Sequence, residues 1–252
     1  MLTLTDLVEH LDILLEPRAY KDYCPNGLQV EGRSQVLKIA TAVTASQNIL
    51  DQAVAADVDA LLVHHGYFWK NESQPVTGMK YRRLSTLIKN DISLLAYHLP
   101  LDAHNDLGNN VELARILDWE VTGGLEAGNP RSIGLVGLTK TDKTLSEVSD
   151  RIQRELGREP LVIGDAAKAV RKIAWCTGAA QGFIDQAADA GCDLYISGEI
   201  SENTVHAARE LGIAYIAAGH HATERYGVLA LGRWLQDKFG IEHIALDENN
   251  PV

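Results

Sequence analysis

The chain has 252 residues, 46% hydrophobic and 23% charged, a globular composition that suits one large α/β domain or two small ones. A formal net charge of −11 disfavours broad binding to phosphate backbones, and the only notable basic stretch, Lys80-Tyr81-Arg82-Arg83, reads as a solvated helix face. Three cysteines with no CxxC spacing argue against a disulfide framework, and no apolar run approaches the ~20 residues of a membrane helix, so a cytoplasmic location is expected.

From the start, "MLTLTDLVEHLDILLEP" reads as an amphipathic helix begun by Thr3 or Thr5 rather than as a signal peptide. "YCPNGLQVEG", residues 23–32, is a turn around Pro25-Asn26-Gly27, expected to be a structural loop entering the sheet and a candidate to line a cleft. Next the chain repeats itself. Residues 36–59 and 170–193, "VLKIATAVTASQNILDQAVAADVD" and "VRKIAWCTGAAQGFIDQAADAGCD", align without a gap at an offset of 134, with identities that include Lys38, Ile39, Gln47, Asp51 and Asp59.

Each copy predicts a strand (38–43; 172–176), a small-residue turn, a helix (47–56; 181–190) and a second buried strand (60–63; 194–197). A further helix and a third strand follow in each, at 92–98 and 213–220, and residues 131–165 predict strand–helix–strand leading into the second copy. Strands alternating with helices at this spacing mean βαβ units. The expected fold is therefore α/β: two intertwined βαβ-type repeats with mostly parallel or mixed sheets. The lobes are placed at 1–126 and 127–252, with the Gly- and Pro-containing stretch 122–132 as the hinge between them.

Ligands of such sheets collect beyond the carboxyl ends of strands. There the buried run Ala60–Val63 gives way to His64 and His65, and either imidazole is costly to bury without a partner. Successive strand residues project to opposite sides, so the pair either addresses two ions or supplies one ligand and one bystander. "YHLPLDAHNDLGNN" offers His98, Asp102, His104 and Asp106, with polar turn chemistry as the alternative. In "GHHATERYGVLALGRWLQDKF", His220 and Glu224 share a helix face at i and i+4, whereas His221 points elsewhere; capping is the alternative there. Glu199 falls opposite His65 in the repeat. Imidazoles and carboxylates gathered at equivalent strand ends point to a dinuclear metal centre between the lobes, with one carboxylate bridging. No dinucleotide loop, phosphate loop, GxSxG elbow or recognisable cysteine nucleophile is present.

"NGLQVEG", "LLVHHGYFW", "YHLPLDAH", "SGEISENTVHAARELG", "AAGHHATERYGV" and the final "NPV" together resemble the YbgI-like dinuclear-metal-centre proteins, known as GTP cyclohydrolase I type 2 homologues, over residues 3–252. The resemblance implies His64, His65, Asp102, His220 and Glu224 as ligands of two divalent ions (zinc, iron, manganese or nickel), with Glu224 bridging. It also implies a toroidal homohexamer with its metal sites facing an internal cavity. The resulting expectation is a metal-dependent hydrolase of a nucleotide or related small molecule, with redox chemistry open should the ions be iron. His98 and Glu199 are the candidates for proton transfer or ligand orientation. The contrasting expectation is a metal-bound oligomeric scaffold or regulatory partner without turnover. Nothing in the residues themselves encodes GTP cyclohydrolase activity, and DNA binding is disfavoured by the charge.

Overall fold

Leu4, Leu7, Leu11 and Leu15, spaced at three or four residues, form the buried stripe of the first helix, and the Thr3 hydroxyl caps it by accepting from the Asp6 N–H. The computed structural model describes residues 2–252. In chain order the elements open with β1 (Leu2–Thr3), α1 (Leu4–Leu15), β2 (Gly27–Val30), β3 (Gln35–Val36), β4 (Lys38–Thr44), α2 (Gln47–Ala55), β5 (Ala60–His65), α3 (Gly78–Lys89) and β6 (Ser93–Ala96). There follow α4 (Leu99–Ala103), α5 (Asn109–Leu117), β7 (Trp119–Gly124), β8 (Leu135–Thr144), α6 (Leu145–Leu156), β9 (Leu161–Ile163) and β10 (Ala169–Cys176). The last elements are α7 (Ile184–Asp189), β11 (Leu194–Ser197), α8 (Glu202–Leu211), β12 (Ala214–Ala217), α9 (His220–Phe239) and β13 (Glu242–Ala245). Among the described residues no helix is long and apolar enough to cross a membrane.

Packing groups residues 1–101 with 227–249 into one unit, and 102–226 with 250–252 into another. The first unit holds a five-stranded sheet in the order β13-β4-β5-β6-β2, parallel except for the antiparallel edge strand β2. Leu61, Leu62, Val63, Leu94 and Leu95 are fully buried in its central strands. Strands covered on both faces read as continuous apolar runs for this reason. Ile49, Leu50, Ala53, Leu84 and Leu87, from α2 and α3, pack against the sheet.

The second unit holds a six-stranded mixed sheet, β7-β8-β10-β11-β12-β9, whose centre β10-β11-β12 is parallel and whose other neighbours are antiparallel. Leu113, Leu117, Val148 and Ile152 from α5 and α6 cluster with Trp175, while Ile184, Ala187 and Ala208 from α7 and α8 cluster with Tyr195 and Tyr215. The α/β class and the strand–helix–strand insert at β8-α6-β9 are as expected. The stretch 122–132 is not a hinge. It closes the β7–β8 hairpin of a single sheet, held by the bond from Leu125 N–H to the Gly134 carbonyl and by the Ser132 hydroxyl, which donates to that carbonyl and accepts from the Glu126 N–H. Glycine and proline serve such a connection as well as they would a hinge.

Candidate metal centre

Strand β5 runs through both histidines, and Gly66 ends it. Pairing with β6 stops at Val63 while pairing with β4 continues to His65 opposite Thr44. The rings of His64 and His65 lie 4.5 Å apart. His64 is fully buried, and its Nδ1 sits 3.0 Å from the Tyr97 carbonyl oxygen. A carbonyl only accepts, so Nδ1 carries a proton, and Nε2 is the ring atom that could serve a metal. His65 Nδ1 is 3.2 Å from the Thr44 hydroxyl.

His98 joins the same group, with ring centroids 5.1 Å from His64 and 5.7 Å from His65. One ligand atom from each of the three lies within 4.8 Å of the others. Its orientation is set by Asp22: Oδ1 lies 2.7 Å from His98 Nδ1, and Oδ2 accepts from Leu99 N–H and Asn26 Nδ2. Burial works to raise the Asp22 pKa, yet the bond and charge of His98 with the Asn26 and Tyr23 donors outweigh it and hold the carboxyl at about 2. Asp22 immediately precedes the 23–32 turn that the sequence offers as a candidate cleft lining. No spacing rule links it to a histidine 76 positions away.

In the second unit, Asp102 on α4 is buried, and its Oδ1 accepts from Asn109 Nδ2 at 2.9 Å and from the Thr177 hydroxyl at 3.3 Å. Asn110 braces Thr177 by accepting from its N–H at 3.0 Å. His220 and Glu224, one turn apart on α9, meet with Nε2 3.1 Å from Oε2, and Glu199 holds the other ring nitrogen of His220 at 2.6 Å. Burial lowers the His220 pKa, but Glu224 and then Glu199 reverse the sign and raise it to about 9. Asp102 and His220 each offer an atom within 4.8 Å of a Glu224 carboxylate oxygen.

Glutamate fits there because position 178 is glycine: a Cβ on Gly178 would stand 2.0 Å from Glu224 Oε1, and its φ of +69° favours glycine. Asn109, Asn110, Thr177 and Gly178 were missed by the sequence reading; only the "GNN" following the histidine–aspartate loop hinted at the asparagines. The polar-turn alternative holds for His104, whose Nδ1 accepts from the backbone of Asp106 and Leu107. The His221 N–H donates to the Val252 carbonyl.

The model of a family described as Duf34/NIF3 (NGG1p interacting factor 3) matches residues 2–251. A Pseudomonas aeruginosa protein named GTP cyclohydrolase 1 type 2 homolog is 60% identical over 251 residues, covering 100% of this chain and 99% of its own. A solved structure described as protein ybgI, of unknown function, superposes with a TM-score of 0.96 at 47% identity over 100% of both chains. A structure of the Thermus thermophilus protein TTHA1606 gives a TM-score of 0.90 at 34% identity, again over 100% of both.

Proposed function

The chain belongs to the Duf34/NIF3 family, and on that premise we propose that it is a metal-dependent hydrolase that uses two divalent ions to act on a nucleotide or a related small molecule. The observation that carries this reading is the pair of buried carboxylates, Asp102 and Glu224, held within 4.8 Å of each other. Two buried anions this close call for positive charge between them. Asp102, His220 and Glu224 would hold the ions together with His64 and His65, whose Nδ1 atoms are oriented by the Tyr97 carbonyl and the Thr44 hydroxyl. The donor set fits zinc, iron, manganese or nickel. Ions bound there would supply Lewis acidity and bring the pKa of a coordinated water toward neutrality.

The chain's own residues orient and carry protons. With Nδ1 committed to Asp22, His98 exchanges its proton at Nε2. Glu199 fixes the ring of His220 through Nδ1, leaving Nε2 toward Glu224. Assembly as a homohexamer is part of the same reading, and light scattering on the purified chain checks it.

The test is elemental analysis of protein purified without added metal, followed by metabolite turnover with and without chelator. The reading expects close to two ions per chain and chelator-sensitive turnover. His64→Ala should lose metal with its circular dichroism unchanged; should it not fold, Glu224→Gln is measured instead. Full metal retention in a folded Glu224→Gln, or turnover untouched by chelator, overturns the reading.

A further inference from the structure

Between β5 and α3 lies a loop built with more bonds than a plain connection needs. Gln29 clamps it, its Oε1 accepting from Tyr67 N–H at 2.7 Å and its Nε2 donating to the Tyr67 carbonyl at 3.1 Å. Phe68 is held at φ +65°, a backbone region that costs a bulky residue energy and marks sites where strain serves a purpose. Glu72 Oε2 keeps it there by accepting from the N–H of Phe68 at 2.6 Å and of Trp69 at 3.2 Å. Lys80 pairs with Glu72 and sits 5.1 Å from the centre of the Phe68 ring. The Trp69 indole is pinned by donation from Nε1 to the Gly66 carbonyl, and Lys70 N–H ties the loop to the Tyr23 carbonyl.

This construction displays aromatic rings beside the histidines. Trp69 stands 5.1 Å from His98, nearly perpendicular to it, and 5.9 Å from His65. Tyr23 lies edge-on to His98 at 6.4 Å. The rings grade outward from fully buried His64 to Tyr23, 62% exposed. Single exposed aromatics are ordinary; aromatic rings packed around a cluster of three histidines are not.

We propose that Tyr23 and Trp69 form a stacking subsite for a planar heteroaromatic ring, a nucleobase or its like, whose polar edge is presented to His98. This rests on the hydrolase reading for the role of the histidines, but the binding itself does not require metal. Ring faces are what the rim offers, and planar π-systems stack on them whatever their substituents. Hydroxyl-rich ligands find few fixed acceptors, because Glu72, Gln29 and Asp22 are engaged by the protein's own backbone and side chains.

The experiment titrates guanosine, adenosine and ribose 5-phosphate into the full chain by calorimetry, with metal content measured on the same preparations. Tyr23→Ala and Trp69→Leu should each weaken nucleoside binding by roughly five- to a hundredfold, leave ribose 5-phosphate unaffected and leave metal content at the wild-type level. Wild-type nucleoside affinity in both variants overturns the subsite, as does failure of fully metal-loaded wild type to bind either nucleoside. An altered oligomeric state in Tyr23→Ala with nucleoside binding intact also overturns it and assigns the patch to a second copy of the chain. Nucleoside binding through these rings, with no chelator-sensitive turnover in the metal-loaded protein, sinks the hydrolase reading while the subsite stands.

Discussion

In the first unit the Asp59 carboxylate accepts from the N–H groups of Leu37 and Lys38; in the second, Asp193 accepts from those of Arg171 and Lys172. The strands these aspartates organise pair in the same register: Ile39 opposite Ala60 and Ala42 opposite Val63 correspond, 134 positions on, to Ile173 opposite Leu194 and Cys176 opposite Ser197. The segments part company at their carboxyl ends. Thr44, His64 and His65 in one answer to Gly178, Gly198 and Glu199 in the other. The first end presents imidazoles from the strand itself. The second presents none from the strand and clears space for side chains arriving from α9. A shared scaffold thus fixes where strand ends lie, and the residues just past the last paired position decide what each end does.

The sharpest way to break that contrast is at Gly178 and its counterpart Thr44. Gly178→Ala puts a methyl group 2.0 Å from Glu224 Oε1 at a φ of +69°, so Glu224 is forced out of place. Metal affinity should fall by roughly 100-fold or more, read by chelator competition. Gly123→Ala, where nothing lies within 4 Å of the added carbon, is the control and should be silent. Equal metal binding in Gly178→Ala and wild type would mean that Glu224 is not part of the centre.

How much of this was legible beforehand follows from the physics of each element. The continuous apolar runs of β5 and β11 and the i, i+4 pair on α9 are local patterns, and they stand where the sequence puts them. The predicted helix 181–190 is only partly present: a 3-10 turn at Gln181–Phe183 precedes the six-residue α7. Ser46 caps α2 through the Ile49 N–H, but the corresponding Ala180 has no side chain to do so, and Gly182 weakens the first turn further. The return of β13 to the edge of the first sheet was not visible, because its pairing with β4 joins residues some 200 positions apart and carries no local signature. A boundary at 126/127 follows the repeat, whereas the packing units follow strand pairing. Among the candidate site residues, histidine and carboxylate stand out in the sequence because they are chemically conspicuous at strand ends. Asp22, Asn109, Asn110 and Thr177 are common surface types, and only the folded chain reveals what they brace.

A smaller effect compares the groups that steady each half. Glu199→Gln replaces the charged acceptor 2.6 Å from His220 Nδ1, and Thr44→Val removes the hydroxyl 3.2 Å from His65 Nδ1. Loss of such a partner costs about 10- to 100-fold in metal affinity. The shorter, charge-assisted Glu199 bond should sit at the upper end of that range and the Thr44 bond at or below its lower end. A reversed order, measured by the same competition assay, would place the dominant support in the first unit.

The smallest effect concerns the shared scaffold. Asp59 carries one bond that Asp193 lacks, a salt bridge to Arg33 at 2.8 Å. Asp59→Asn should therefore lower the unfolding free energy measured in urea more than Asp193→Asn does, by a difference of about 1 kcal/mol at neutral pH. Burial works to raise the Asp59 pKa, but the Leu37 N–H, Arg33 and the Lys38 N–H together bring it below the ordinary 3.8. A carboxyl whose folded pKa lies below its unfolded one stabilises the fold above the unfolded value. That contribution fades as the pH falls through the lower folded value. The gap between wild type and Asp59→Asn should accordingly be constant from neutrality down to about pH 5 and narrow below about pH 4. A gap that instead widens in acid would mean that Asp59 is held as the protonated acid, and the parallel between the two aspartates would end at their geometry.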